Sequence, residues 1–308
     1  MEMLLQIVLL ALGFVMLVKG ANWFVDGASN IAAKFKIPQL VIGLTIVAMG
    51  TSSPEAAVSI TAALHGNAEI TIGNVMGSNI LNILLILGLS ASISRLAVAK
   101  STVWIEIPFL LLVSGLLYVQ GLDGTISLLD GAIQLLLFAA YLTYLLIMAK
   151  KFPDENPKTP KQMKLWKAIL ATVGGLAMVI VGSDLAVDAS TTIARIMGLS
   201  ERFIGLTVVA LGTSLPELFT SAAAARKGNA DIAIGNIVGS NIFNILFVVG
   251  LSALITPVPF AADFLFDTVI AAGAALLLWV CCMKDKSLKR WHGVLMLLGY
   301  AAYFAVII

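Results

Sequence analysis

Two glutamates stand in sequence apolar enough to lie in a bilayer, and both carry the same neighbours. Gly50-Thr51-Ser52-Ser53-Pro54-Glu55 returns 162 positions later as Gly212-Thr213-Ser214-Leu215-Pro216-Glu217. Gly73-Asn74-Val75-Met76-Gly77-Ser78-Asn79-Ile80-Leu81-Asn82 returns as Gly235-Asn236-Ile237-Val238-Gly239-Ser240-Asn241-Ile242-Phe243-Asn244. The blocks 42–93 and 204–255 align without a gap, with 33 of 52 positions identical. Hydrocarbon makes such polar groups expensive, so they are buried against protein or line a polar pathway. Thr51, Glu55 and Ser59 share a helix face at spacing four, as do Thr213, Glu217 and Ser221. Ser52 and Ser214 lie on the same side, three residues before each glutamate. Asn74, Ser78 and Asn82 form a second stripe, repeated by Asn236, Ser240 and Asn244.

These ligands are all oxygen, which selects hard cations such as calcium or sodium over zinc or copper. Calcium takes about 6–8 oxygens in flexible geometry, whereas magnesium demands a stricter octahedron. If both glutamates are ionised, one Ca2+ neutralises them. Two or three Na+ could use the same oxygens, and three would leave one excess positive charge. A site that holds either cargo but not both is what an antiporter requires.

Pro54 and Pro216 lack the N–H that would bond the carbonyls of Gly50 and Gly212, so each helix should break there and free backbone oxygens beside the glutamate. Gly73/Gly77 and Gly235/Gly239 permit close helix approach or local unwinding. Ser59, Ser221, Asn79 and Asn241 read equally well as polar packing residues. Glu106 reads as interfacial, and His65 and His292 as solvated helix-edge residues. Asp26 and Asp188 are repeat mates near helix ends, where they could cap a helix or form a gate contact; capping is the expectation. Lys19 is expected to snorkel near the end of the first helix. Cys281 and Cys282 read as small core or lipid-facing residues.

The chain has 308 residues, 60% hydrophobic and 12% charged, with mean hydropathy +1.01. A soluble domain carries roughly 25% charged residues. The composition therefore implies an all-α integral membrane protein. A net charge of +2 and the lack of a basic arm exclude a nucleic-acid partner. The first segment lacks the positive start of a cleaved signal. Apolar runs predict ten spans: 4–25, 39–64, 69–93, 103–120, 126–149, 166–189, 202–225, 231–255, 264–283 and 289–307. They divide into a first five-helix repeat, 1–149, a polar linker, 150–165, and a second repeat, 166–308. With the linker cytoplasmic, alternation collects 16 of the 19 basic residues inside, including Lys158 and Lys161, and leaves Arg195 and Arg202 outside. Both termini are then external, and the plasma membrane is the expected location. An odd number of helices per half makes the repeats inverted, with discontinuous helices 2, 3, 7 and 8 around a central ion site.

The paired motifs resemble the two α-repeats of the sodium/calcium exchanger family, part of the cation/calcium antiporters. The resemblance implies Na+-driven Ca2+ transport by alternating access, with helices 1 and 6 moving across an ion-holding core. It implies calcium coordination by Glu55 and Glu217, with carbonyls from Thr51 and Thr213. It implies sodium coordination by the same glutamates with Ser52, Ser78, Ser214 and Ser240, and places Asn82 and Asn244 at the centre. Ser53 stands where the second motif has Leu215, a change expected to alter packing only. Asn244, where potassium-dependent relatives carry an acid, argues against potassium cotransport. The 16-residue linker leaves no room for the long regulatory domain of animal exchangers.

A Ca2+/H+ antiporter is the nearest alternative, because buried glutamates can carry protons; a passive cation channel is a more distant one. No H-E-x-x-H, nucleophile–base pair or nucleotide loop suggests an enzyme. The expected partners are Ca2+, Na+ and the lipid bilayer, with H+ under the alternative. No prosthetic group or obligatory protein partner is expected.

Overall fold

The computed structural model describes residues 2–153, 162–198 and 210–307. Lys158, Lys161, Arg202 and the opening 202–209 of the seventh predicted span lie outside the described residues. The helices are α1 (Glu2–Phe35), α2 (Gln39–Thr51), α3 (Ser53–Leu64), α4 (Glu69–Ile93), α5 (Thr102–Asp123), α6 (Leu128–Lys151), α7 (Leu165–Ile196), α8 (Ala210–Gly212), α9 (Leu215–Arg226), α10 (Ala230–Ile255), α11 (Asp263–Met283) and α12 (Arg290–Ile307). Among the described residues, eight are long and apolar enough to cross a bilayer, and the α2–α3 pair, bent by 49°, makes a ninth span.

The most deeply buried spans are α4 and α10. They are joined by a reciprocal bond: the Asn79 amide donates to the Asn241 carbonyl at 3.3 Å, and the Asn241 amide donates to the Asn79 carbonyl at 3.0 Å. Asn82 and Asn244 extend it, donating to the side-chain oxygens of Asn241 at 2.9 Å and Asn79 at 3.1 Å. Asn79 and Asn241 thus take the packing role that their sequence left open. Two antiparallel clips tie distant loops together. Strand β1 (Leu96–Ala97) pairs with β4 (Ser287–Leu288), and β2 (Thr125–Ile126) with β3 (Val258–Pro259).

Helices α1 and α7 cross at small residues. A Cβ on Gly20 would lie 2.8 Å from the Gly175 carbonyl oxygen, and one on Gly175 only 2.4 Å from the Phe24 nitrogen. Only glycine allows that approach, which in lipid must be held by packing and not by water exclusion. Both helices outrun their predicted spans, α1 by ten residues to Phe35 and α7 by seven to Ile196. Burial of Ala28, Ser29 and Ala32 keeps α1 helical past the expected end.

Several expectations change as a result. Asp26 and Asp188 lie inside helices and cap nothing; Asp26 instead pairs with Lys227 at 2.7 Å, and that lysine also donates to the Asn22 carbonyl. Lys19 sits mid-helix on the exposed face of α1, not near a helix end. Glu106 is not interfacial: it is fully buried and accepts a hydrogen bond from the Tyr144 hydroxyl. His292 is buried too, its Nδ1 accepting from the Lys289 backbone N–H at 3.1 Å. His65 is exposed as expected, and Cys281 and Cys282 are buried free thiols.

Candidate ion-binding site

The motif glutamates occupy the first turns of α3 and α9, where a helix N-terminus favours negative charge. Ser52 leaves helical geometry at φ −82°, ψ 8°, and Ser214 at φ −92°, ψ 4°. Pro54 and Pro216 fall at the start of the new helix, where a missing N–H costs nothing. Helices 2 and 7 of the sequence reading do break here. Helices 3 and 8 do not: α4 and α10 run through, because glycines alone keep their N–H groups in the ladder. What changes in them is pitch, with π-helical turns over Asn82–Leu87 and Asn244–Val249. Such turns recur at functional sites.

Ser-x-x-Glu at a helix start is the pattern of a capping box. Neither serine caps its own helix. Ser52 instead donates across to Glu217 Oε1 at 2.7 Å, and Ser214 to Glu55 Oε1 at 3.4 Å. Ser78 reaches Glu55 Oε1 and Ser240 reaches Glu217 Oε1, both at 3.5 Å, while Ser78 and Ser214 hydroxyls meet at 3.2 Å. Asn74 holds the Glu55 carbonyl at 3.1 Å and the Ser59 hydroxyl at 2.9 Å; Asn236 holds the Glu217 carbonyl at 3.4 Å and the Ser221 hydroxyl at 2.9 Å. Glu55, Glu217, Ser52, Ser214, Ser78, Ser240, Asn82 and Asn244 are all buried.

What remains open in this cluster is all acceptor. Glu55 Oε2, Glu217 Oε2, Asn82 Oδ1 and Asn244 Oδ1 are buried without a hydrogen-bond partner. Orphaned buried oxygens are costly, and two of each kind, from matching positions in each repeat, are what a cation would satisfy. Among the described residues no cluster of three or more histidine, cysteine or acidic side chains exists, so neutral oxygens must complete any coordination.

The two halves of the site are not equal. Thr51 is buried and donates to Asn236 Oδ1 at 2.9 Å, whereas Thr213 is half-buried and has no such bond among the described residues. Gly239 is buried against Leu44 and Ala48, whereas Gly77 is exposed and a Cβ there would meet nothing within 4 Å among the described residues. The site is sealed where α10 packs on α2.

The carbonyls freed by the prolines are not left beside the glutamates, as the sequence suggested. Ser53 donates to the Gly50 carbonyl at 2.7 Å from within its own turn. Leu215 has no hydroxyl, and the Gly212 carbonyl is capped at 2.8 Å by Ser183 of α7. The Ser53/Leu215 difference therefore changes a hydrogen bond and not packing alone. Sequence reasoning missed Ser183, and also missed Asn74 and Asn236 as holders of the glutamate carbonyls. Their place in the asparagine stripes was the only available signal.

A family model described as sodium/calcium exchanger protein matches residues 5–147 and 167–308. The chain belongs to the sodium/calcium exchanger family. Both matched blocks flank the polar linker. Sodium/calcium exchanger MaX1 of Methanosarcina acetivorans is 33% identical, covering 97% of each chain. Inner membrane protein YrbG of Escherichia coli is 38% identical over 99% of this chain and 97% of its own. The solved structure of the sodium-calcium exchanger NCX_Mj soaked with 2.5 mM Na+ and 10 mM Sr2+ superposes with a TM-score of 0.87 at 35% identity, covering 98% of this chain and 99% of the other. This exchanger is thus a multi-pass integral membrane transporter and not an enzyme.

Proposed function

We propose that this exchanger moves Ca2+ against Na+ by alternating access, with Glu55 and Glu217 as the charged ligands shared by both cargoes. Ser52, Ser78, Ser214 and Ser240 supply hydroxyl oxygens, Asn82 and Asn244 their amide oxygens, and Thr51 and Thr213 their carbonyls. The observation that carries this reading is the matched set of orphaned oxygens on Glu55, Glu217, Asn82 and Asn244. A proton carrier needs no such shell; several Na+ or one Ca2+ do.

The chain is read as ten helices in two inverted five-helix repeats, 1–149 and 166–308, joined by the 150–165 linker. The strand clips support that alternation, since each pairs loops that it assigns to one side: Leu96 with Leu288, and Ile126 with Val258. The Asp26–Lys227 ion pair supports it as well. Lysine placement favours a cytoplasmic linker and external termini in the plasma membrane.

The test is radiolabelled Ca2+ uptake into Na+-loaded proteoliposomes diluted into Na+-free buffer, with pH clamped on both sides. Uptake that vanishes when choline replaces internal Na+ establishes the sodium reading. Uptake indifferent to Na+ but driven by a pH gradient replaces it with Ca2+/H+ exchange.

A further inference from the structure

We propose that the seam between α1 and α7 holds the headgroup of an anionic glycerophospholipid. A cavity of about 530 Å3 lies there, walled by Trp23 of α1 and by Trp166, Leu170 and Ala171 of α7. Lys164 and Lys167 complete its lining with positive charge. The chain that enters α7 is anchored: the Met163 N–H donates to Asn30 Oδ1 at 2.8 Å, and the amide of the buried Asn30 donates to the Asp26 carbonyl at 2.8 Å. This wall of the cavity therefore belongs to the fold and is not a loose surface loop. Trp23, Trp166 and Leu170 are exposed, so the cavity faces outward, toward lipid.

Lys19 adds a charge that needs a counter-ion. It lies inside the first span, on the exposed face of α1, where an uncompensated charge is expensive. Trp23 follows it at spacing four on the same face, about 6 Å along the helix axis, within reach of a lysine stem. Two lysines thus line the cavity and a third reaches its inner end. Among the described residues none of the three has an ion pair. Lys167 rests only over the Trp166 ring, 5.4 Å from its centre. Asp26, the acid one turn from Trp23, is committed to Lys227. The anion that a bilayer supplies to such a cluster is the phosphate of its own lipids, and the two indoles suit the same depth because they prefer the headgroup level. An acyl chain continues along Leu170 and Val173, which share a face of α7 with Trp166 and are both exposed.

The test is native mass spectrometry of the full chain, released from detergent micelles that contain equal amounts of dioleoyl phosphatidylglycerol and dioleoyl phosphatidylethanolamine. The native protein is expected to retain phosphatidylglycerol in clear excess. One lysine near a membrane surface favours an anionic lipid by about five-fold. Lys19→Gln and Lys167→Gln should each lower the excess by that factor, and the double variant by about 25-fold. Both lysines are exposed, so neither change disturbs the packing of the helices. Lys34→Gln is the control, an exposed lysine in the last turn of α1 that does not border the cavity, and it should leave the ratio unchanged. Equal retention of the two lipids by the native protein would make the seam a generic chain-binding surface and overturn the proposal. An undiminished excess in the double variant would place the lipid elsewhere and overturn it too, as would an equal fall in Lys34→Gln, which would make the attraction diffuse. None of these readouts depends on which ions the protein transports.

Discussion

The hydroxyl of Ser52 donates to Glu217 at 2.7 Å, so a serine that begins one repeat's helix holds the carboxylate of the other. Its counterpart is weaker: Ser214 lies 3.4 Å from Glu55 and also meets Ser78 at 3.2 Å. The exchanged capping pairs make the two glutamates one site, because neither motif is complete without its opposite. They also make the serines unequal. Ser52→Ala removes a 2.7 Å bond and leaves Glu217 with Ser240 at 3.5 Å, whereas Ser214→Ala removes only a 3.4 Å contact and leaves Glu55 with Ser78 at 3.5 Å. A charge-assisted bond contributes about 1.5–3 kcal/mol. Ser52→Ala is expected to raise half-saturating Na+ on the order of ten-fold, and Ser214→Ala by less. Na+ titration of Ca2+ uptake measures both; equal effects would refute the ranking.

The carboxylates themselves admit no substitute. Glu55→Gln or Glu217→Gln keeps the shape but removes half of the charge that balances Ca2+. Either single variant is expected to abolish Ca2+ flux while leaving a folded monodisperse protein by size exclusion. Uptake near the native rate in both variants would place the ion elsewhere.

The repeat motifs, the proline breaks and the ends of most spans were legible in the sequence because they follow from local rules: a missing N–H at Pro54, spacing four for Asn74, Ser78 and Asn82, hydropathy for length. What was not legible depends on which helices become neighbours. Ser52-x-x-Glu55 reads as a local cap, and only the approach of α9 sends its hydroxyl to Glu217. Glu106 reads as interfacial from its place near a span start, and only the packing of α6 on α5 puts Tyr144 against it. Asp26 looks terminal because hydropathy falls there, yet α1 continues through buried Ala28 and Ala32 to reach Lys227. Ser183 carried no motif at all.

Glu106 provides a contrast with the ion site. One of its oxygens accepts from Tyr144, and the residue borders a cavity of about 180 Å3 with Phe109, Leu137 and Tyr141, distinct from the cluster around Glu55. Glu106→Gln keeps an acceptor for Tyr144 and is expected to exchange Ca2+ within two-fold of the native rate. Glu106→Ala leaves the Tyr144 hydroxyl without that acceptor and is expected to cost about 1–3 kcal/mol, read as a lower melting temperature in detergent. Loss of exchange in Glu106→Gln with unchanged melting would make Glu106 part of the transport path.

The sealed and open sides of the site can be told apart by a single methyl group. At Gly239 a Cβ would lie 2.8 Å from the Leu44 Cα and from its carbonyl oxygen, and those are backbone atoms that cannot rotate away. At Gly77, its repeat mate, no described residue lies within 4 Å of the same methyl. Overpacking a close contact costs typically about 1–3 kcal/mol, and here it would also pry α10 from α2 where the site is closed. Gly239→Ala is expected to lower the melting temperature and to cut Na+-dependent Ca2+ uptake by at least ten-fold. Gly77→Ala is expected to melt as the native protein does. Its uptake should fall only to the extent that α4 must close during the cycle, so a large loss of rate with native stability would show that Gly77 becomes a close-packed position in the opposite-facing conformer. Equal melting of the two variants would mean that the α2–α10 contact is no tighter than the open side.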